Sequence, residues 1–325
     1  VRAGAVQRRP GRRQSLMTVA AAPSGSSTVP APPPAWVAWL RRAVPKLVLA
    51  PSFAITLVFV YGFILWTSYL SMTSSKMMVR LDWVGLLQYQ RLWANPNWYT
   101  ALANLAIFGT LYIAITTAIG LALAIFLDQR IRAEGVLRTI YIYPMAISFI
   151  VTGTAWKWIL NPGLGLQKLV QDLGWTSFTF DWIIRPDMAI YTIVIAGIWQ
   201  SSGFVMAMFL AGLRGVDGEI LKAAAIDGAS LRQTYWRIVI PIMRPVFLSS
   251  FVVLAHLAIK SYDLVMALTA GGPGVSTTLP AVFMYSYTFT RNEMGLGAAS
   301  AVMMLMTVVA IIVPYLYSEF RGVKR

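Results

Sequence analysis

Six stretches of this chain stay apolar for long enough to cross a lipid bilayer, which takes about 20 helical residues. They run over about residues 47–70, 101–127, 137–160, 188–213, 246–270 and 295–317. Hydrocarbon offers no water to a peptide group, so each stretch must satisfy its own N–H and C=O groups, as a helix does. The chain therefore reads as an all-α, polytopic membrane protein with six transmembrane helices. Of its 325 residues, 58% are hydrophobic and only 12% are charged, too apolar for an ordinary soluble protein.

Charge sets the expected orientation. A net charge of +15 raises the question of nucleic acid. The cations instead gather in alternate loops, as the positive-inside rule requires. Segments assigned to the inside hold 19 Lys or Arg, and those assigned to the outside hold 6. Lys157 and Lys260 lie within spans. This bias places both termini in the cytoplasm and gives no reason to expect a nucleic-acid partner. The absence of cysteine and the single histidine exclude disulfides, thiolate metal sites and multi-histidine sites.

Residues 1–35 form a basic, Pro-rich stretch with almost no apolar periodicity, expected to be a disordered cytoplasmic tail without a secretory signal. Translation is expected to start either at Val1, through an alternative codon, or at Met17. Residues 36–71 hold an interfacial segment, with Trp36 and Trp39 beside Arg41 and Arg42, and the first span. The second span has one strongly polar residue, Asn104. The third contains Pro144. A turn and a short amphipathic helix are expected between residues 161 and 187.

The longest charged loop between apolar segments is 213–245. It reads as two short helices broken at Gly228. Asp217 caps the first. Ser230 caps the second, with Gln233 completing a capping box. Leu231, Tyr235, Ile238 and Val239 recur at helical spacing and predict one apolar face. Pro241 is expected to stop the helix. On shape alone this is a surface hairpin between spans. Its spacing is more specific. Ala223-Ala224, three residues, Gly228, nine residues, then Ile238 and Pro241 resemble the EAA loop of permease subunits of binding-protein-dependent ABC importers. Ile240 replaces the family's Leu, and Lys222 stands where the family usually has Glu. The resemblance implies a type I ABC importer permease fold. It makes Lys222, Ala223, Ala224, Asp227, Gly228, Ile238 and Pro241 the contact with an ATP-hydrolysing subunit.

Further phrases extend the resemblance over about residues 50–320. Residues 84–108 resemble the start of the family's core. LTAGGPGVSTTLP at 268–280 is similar to an element of carbohydrate importers of the maltose and glycerol-3-phosphate type. The overall wording looks closest to glucose/mannose permease subunits. On this basis 72–99 is a periplasmic loop, and 100–320 is a permease core containing the cytoplasmic coupling loop. Aligned with the maltose-type subunit, the substrate-lining positions fall on Gln200, Ser201 and Phe204 in the fourth span. In the fifth span they fall on Leu257, Ala258 and Ser261.

Polar groups inside a bilayer are costly, so each is a pathway or a packing residue. Trp199 beside Gln200 offers an indole face and an amide, the groups a sugar ring needs. Ser202 and Gly203 read as helix packing. His256 and Lys260 are four residues apart, and Asp263 is three beyond Lys260, so the last two are either a structural pair or part of a route. No GxxxxGK[ST] phosphate loop is present, so ATP and Mg belong to partners. The expected assembly is two ATP-binding subunits, a second homologous permease subunit and a periplasmic sugar-binding protein, in a bacterial inner membrane. An ion-coupled secondary transporter using Lys260 and Asp263 is the alternative. A membrane enzyme would need a cluster of catalytic side chains that this sequence lacks.

Overall fold

A computed structural model describes residues 34–129 and 131–322. The disordered tail expected at the N-terminus falls outside the described residues up to residue 33. Contacts divide the chain after Leu57. The first unit is helical from Ala35 (α1, Ala35–Thr56). In the second unit follow α2 (Gly62–Leu70), α3 (Leu87–Trp93), α4 (Pro96–Asp128), α5 (Glu134–Ala146), α6 (Phe149–Ile159), α7 (Leu166–Asp172) and α8 (Ala189–Arg214). Then come α9 (Gly218–Ile226), α10 (Leu231–Thr234), α11 (Ile240–Ile242), α12 (Arg244–Ile259), α13 (Asp263–Leu268), α14 (Pro280–Tyr285) and α15 (Met294–Gly322).

Among the described residues, four helical runs are long and apolar enough to cross a membrane: Val48–Leu70, α4, α8 and Met294–Tyr315. Two bent pairs, α5 with α6 and Leu231–Ile242 with α12, bring the number to six if each is one span. The longest run, α4, starts at Pro96, earlier than its apolar residues alone indicate. Asn95 caps it by accepting the Asn97 N–H, and Pro96 takes the first helical position, where its missing donor costs nothing. Its 33 residues reach roughly 50 Å at 1.5 Å per residue, well beyond a hydrocarbon core of about 30 Å.

The structure corrects two expected spans. The third is not one helix over 137–160. It bends by 99° between α5 and α6, where Ile147 and Ser148 are extended. Pro144 sits in the last turn of α5. Ser148 then starts a new helix, its Oγ accepting the Val151 N–H. The fifth span is not continuous over 246–270 either. It stops at Ile259 and resumes at Asp263 for six residues.

The centre is the packing of α4 on α8. The buried residues Ala101, Asn104, Phe108, Tyr112, Thr116, Gly120, Ala124 and Leu127 recur every three or four positions along α4, one stripe of a helix. Glycines let the backbones approach. A Cβ on Gly120 would come within 2.6 Å of Val205, and one on Gly197 within 3.3 Å of the Tyr112 ring. The Tyr112 and Ser201 hydroxyls bond at 2.7 Å in this buried seam. These pairs rise together in number, so α4 and α8 run in the same direction. α5 crosses α8 the other way: Glu134 meets Arg214 at one end and Ile147 meets Gln200 further along. α12 also runs against α8, with Val246 against Gly212 and Phe247, one residue on, against Phe209 at 4.6 Å.

The tightest approach is at Gly203, where any Cβ would overlap the Tyr141 carbonyl oxygen of α5. Gly203→Val is expected to destabilise the purified chain by about 1–3 kcal/mol, the usual range for overpacking. Gly109→Ala, where a Cβ meets nothing within 4 Å, serves as the control. Equal thermal midpoints for both variants would refute the close α5–α8 contact.

Candidate docking loop and substrate path

Loop 213–245 folds as its capping residues predict. The Asp217 carboxylate accepts the Glu219 N–H at 2.9 Å and starts α9. α9 ends at Ile226, and Gly228, two residues on, has a φ of +73°, in the left-handed region that costs side-chain-bearing residues about 1–2 kcal/mol. The Ala229 N–H closes this end on the Ala224 carbonyl at 3.0 Å. Ser230 and Gln233 make a complete capping box at α10. Pro241 does not stop the helix as expected. A π turn over Tyr235–Val239 precedes it, and the ladder, already widened there, takes the proline into α11 and ends at Met243.

The faces of this loop also differ from a simple helical reading. Ala224, Thr234 and Val239 face inward, whereas Leu231 is 79% exposed together with Ile226 and Trp236. Ile220, Leu221 and Ile242 are exposed as well, to a lesser degree, so large apolar side chains stand open along a charged loop. Lys222 bonds Glu219 within α9 at 2.9 Å, and both are well exposed. Ala223, Asp227 and Gly228 are exposed, and Ile238 and Pro241 are half-buried. The loop is tied to the bundle through Arg214, which meets Glu134 at 2.6 Å and Asp128 at 3.9 Å. Tyr235 lies by the end of α4. Burial, and then the Asp128 charge, push its phenol above the ordinary tyrosine value.

The two helix breaks converge at the other functional region. Gln200, buried in α8, donates its amide to the Ile147 carbonyl at 2.8 Å. It thereby satisfies a backbone group that the α5–α6 break leaves open. Phe149, just after that break, lines a small cavity of about 30 Å³ with Leu257, Lys260, Ser261, Tyr262 and Asp263. The second break therefore faces the first. Irregular backbone at membrane depth has to be buried in protein or line a cavity. The glycine-rich stretch after α13 does both. Thr277 bonds the Gly272 carbonyl at 2.9 Å, and Asn104 of α4 donates to the Thr278 carbonyl at 3.0 Å.

The residues expected to line a substrate path divide into two groups. Trp199, Phe204, Leu257 and Ser261 are at least partly open. Trp199 packs edge-on against Trp156 at 5.9 Å and lines a cavity of about 560 Å³ between α4, α5 and α8. Gln200, Ser201 and Ala258 are buried, Gln200 turned into the helix break and Ser201 onto Tyr112. Trp199 and Gln200 therefore do not share one space. Nor does Lys260 lie on one helix with Asp263, because the chain breaks between them. Among the described residues, no ion pair joins these two. His256 is exposed, with buried Ala255 beside it. The α5–α6 break was missed in the sequence, although Pro144 followed by Ser148 signals it.

The family described as binding-protein-dependent transport system inner membrane component matches residues 117–322. The chain belongs to this family. It is a transport subunit of the inner membrane, not a catalytic one. A probable ABC transporter permease protein of Pyrococcus horikoshii is 40% identical over 281 residues, covering 86% of this chain and 96% of that protein. The trehalose/maltose transport system permease protein MalF of Thermococcus litoralis is 28% identical over 272 residues, covering 83% and 91%. A solved bacterial ABC transporter involved in the import of the acidic polysaccharide alginate has the same fold. Its TM-score is 0.76 at 17% identity, covering 88% of this permease and 98% of the matched chain. Among the permease's described residues, no group of three or more His, Cys, Asp and Glu is placed to hold a metal ion.

Gln200→Leu is expected to leave the Ile147 carbonyl unpaired and to cost about 1–3 kcal/mol. Hydrogen exchange should rise at the Phe149–Thr152 amides. Unchanged exchange there would show that the amide does not hold the break.

Proposed function

We propose that this chain is one permease subunit of an ATP-driven importer that moves a sugar, a monosaccharide such as glucose or mannose, into the cytoplasm by alternating access. Six spans, both termini in the cytoplasm and a cytoplasmic coupling loop at 213–245 complete the reading. Two ATP-binding subunits carry ATP and Mg. A second homologous permease subunit completes the membrane core, and a periplasmic binding protein delivers the sugar. The observation that carries this reading is the loop itself. In a member of a binding-protein-dependent family, a doubly capped helical hairpin presents Ile226, Leu231 and Trp236 to a partner. Apolar side chains so exposed mark a contact surface.

Several observations support the finer points. α4 and α8 run one way and α5 and α12 the other, the alternation that six passes require. The excess of Lys and Arg falls at the end that carries loop 213–245. The MalF relative is named for trehalose and maltose, both built from glucose units. In this reading Trp199, Phe204, Leu257 and Ser261, which are at least partly open, are the side chains that touch the sugar. Gln200, Ser201 and Ala258 shape the path from behind. Lys222 presents a cation where the family loop usually presents a carboxylate, so its ATPase contact is made with an acidic or neutral group. The ion-coupled alternative uses Lys260 and Asp263, which border one small cavity without an ion pair between them; membership of a binding-protein-dependent family favours the importer.

Pull-down of the chain in mild detergent, with mass spectrometry, tests the class. An ATPase and a second permease are expected; the chain alone or a homo-oligomer would overturn the reading. Gly228→Trp strains the left-handed position and places bulk on the docking face. It is expected to lower sugar uptake at least tenfold with normal membrane insertion. Intact uptake would remove the coupling role from this loop.

A further inference from the structure

The end of the bundle opposite loop 213–245 holds a cavity of about 310 Å³ that the substrate path described above does not include. Its volume lies at the lower end of the ligand-binding range of roughly 300–1,000 Å³. It sits between the start of α4, the glycine-rich stretch, α14 and the π turn over Ser286–Thr290. Its wall carries Asn97, Thr278, Tyr285, Ser286, Thr290 and Arg291. An amide, three hydroxyls and a guanidinium beside an aromatic ring are unlike a lipid-facing surface.

The helical stretch 280–290 has two aromatic stripes. On one, Phe283 and Tyr287 are buried and stack at 4.1 Å, with Phe283 also against Trp98 at 5.2 Å. The Tyr287 hydroxyl accepts from Asn95 at 2.8 Å and Arg291 at 2.9 Å, and the guanidinium lies 4.5 Å over its ring. This stripe is structural, and it fixes Arg291 at the mouth with further N–H donors to offer. On the other stripe, Tyr285 is 39% and Phe289 63% exposed. Tyr285 lies 5.1 Å from Phe289 and 4.8 Å from Tyr262. Tyr262 belongs to the wall of the small cavity that holds Leu257 and Ser261. Tyr285 in the wall of the outer cavity and Tyr262 in the wall of the inner one therefore join the two, and Phe289 extends the row of rings beyond Tyr285, outside that wall.

We propose that this cavity is an outer subsite for a polyhydroxylated ring. The sugar's C–H face rests on Tyr285, its hydroxyls bond the Asn97, Ser286, Thr290 and Arg291 groups, and Phe289, Tyr285 and Tyr262 form the track toward Ser261. The proposal rests on the sugar-importer reading and adds a place where released sugar is held before the deeper path. Aromatic faces bind ring C–H surfaces without demanding one hydroxyl pattern, so the row holds a sugar yet lets it move.

The test is sugar binding to the complex that co-purifies with this chain, in nanodiscs and without binding protein. Saturation-transfer NMR would be run with glucose, mannose, maltose and trehalose in turn. Tyr285→Ala is expected to weaken binding roughly three- to tenfold, and Tyr285→Phe, which keeps the ring, to stay within about twofold of the parent by the same stacking argument. Phe289→Ala, at an exposed position that does not threaten folding, is expected to weaken it in the same direction. If both alanine variants bind like the parent while Ser261→Ala is weaker, the outer subsite is overturned and the importer reading stands. If no sugar gives saturation transfer with the parent complex, the subsite and the sugar assignment fall together.

Discussion

α4 and α8 touch backbone to backbone, and the positions of the neighbouring helices follow from that contact. Inside a membrane there is no hydrophobic gain in bringing two apolar helices together, so dispersion contacts and buried hydrogen bonds must hold them. Gly120 and Gly197 remove the side chains that would keep the backbones apart, and the Tyr112–Ser201 bond fills the seam between them. With that pair set, Gly203 draws α5 onto the opposite side of α8, and Gly212 admits α12. The ends of α4 and α8 then lie together, where Arg214 joins Asp128 and Glu134. Loop 213–245 leaves the bundle from that fixed end, so a push on the loop meets a braced group of helices.

The polar residues of the spans serve the backbone first. Each interruption in a membrane helix frees peptide groups that water cannot reach, and each carries a cost unless a side chain supplies the missing bond. Gln200 does so for Ile147, Asn104 for Thr278 and Thr277 for Gly272. The repaired breaks allow extended backbone at a depth where only helix would otherwise survive.

Much of the loop was legible in the sequence because its signals are local. Asp217, Ser230 with Gln233, and Gly228 act through hydrogen bonds or dihedral angles within three or four residues, so their spacing along the chain is their spacing in space. Pro241 misled for a related reason. A proline normally ends a ladder, but the π turn over Tyr235–Val239 changed the ladder ahead of it. Leu231 fitted an apolar periodicity and yet lies exposed, because periodicity shows that a face exists and not what covers it. Gln200 and Asn104 stood out as polar residues in apolar runs. Their partners lie 53 and 174 positions away, which no local pattern reveals.

The all-α membrane class and the capped loop could be read from the residues alone. These follow from composition, run length, charge placement and short-range bonding, which need no knowledge of what packs against what. Where the helices break, which face of α8 is spent on α4 and α5, and which side chains stay exposed were settled by packing. Those outcomes depend on contacts between residues far apart in the chain. In this chain the deciding contacts are glycine surfaces, where the informative feature is the absence of a side chain.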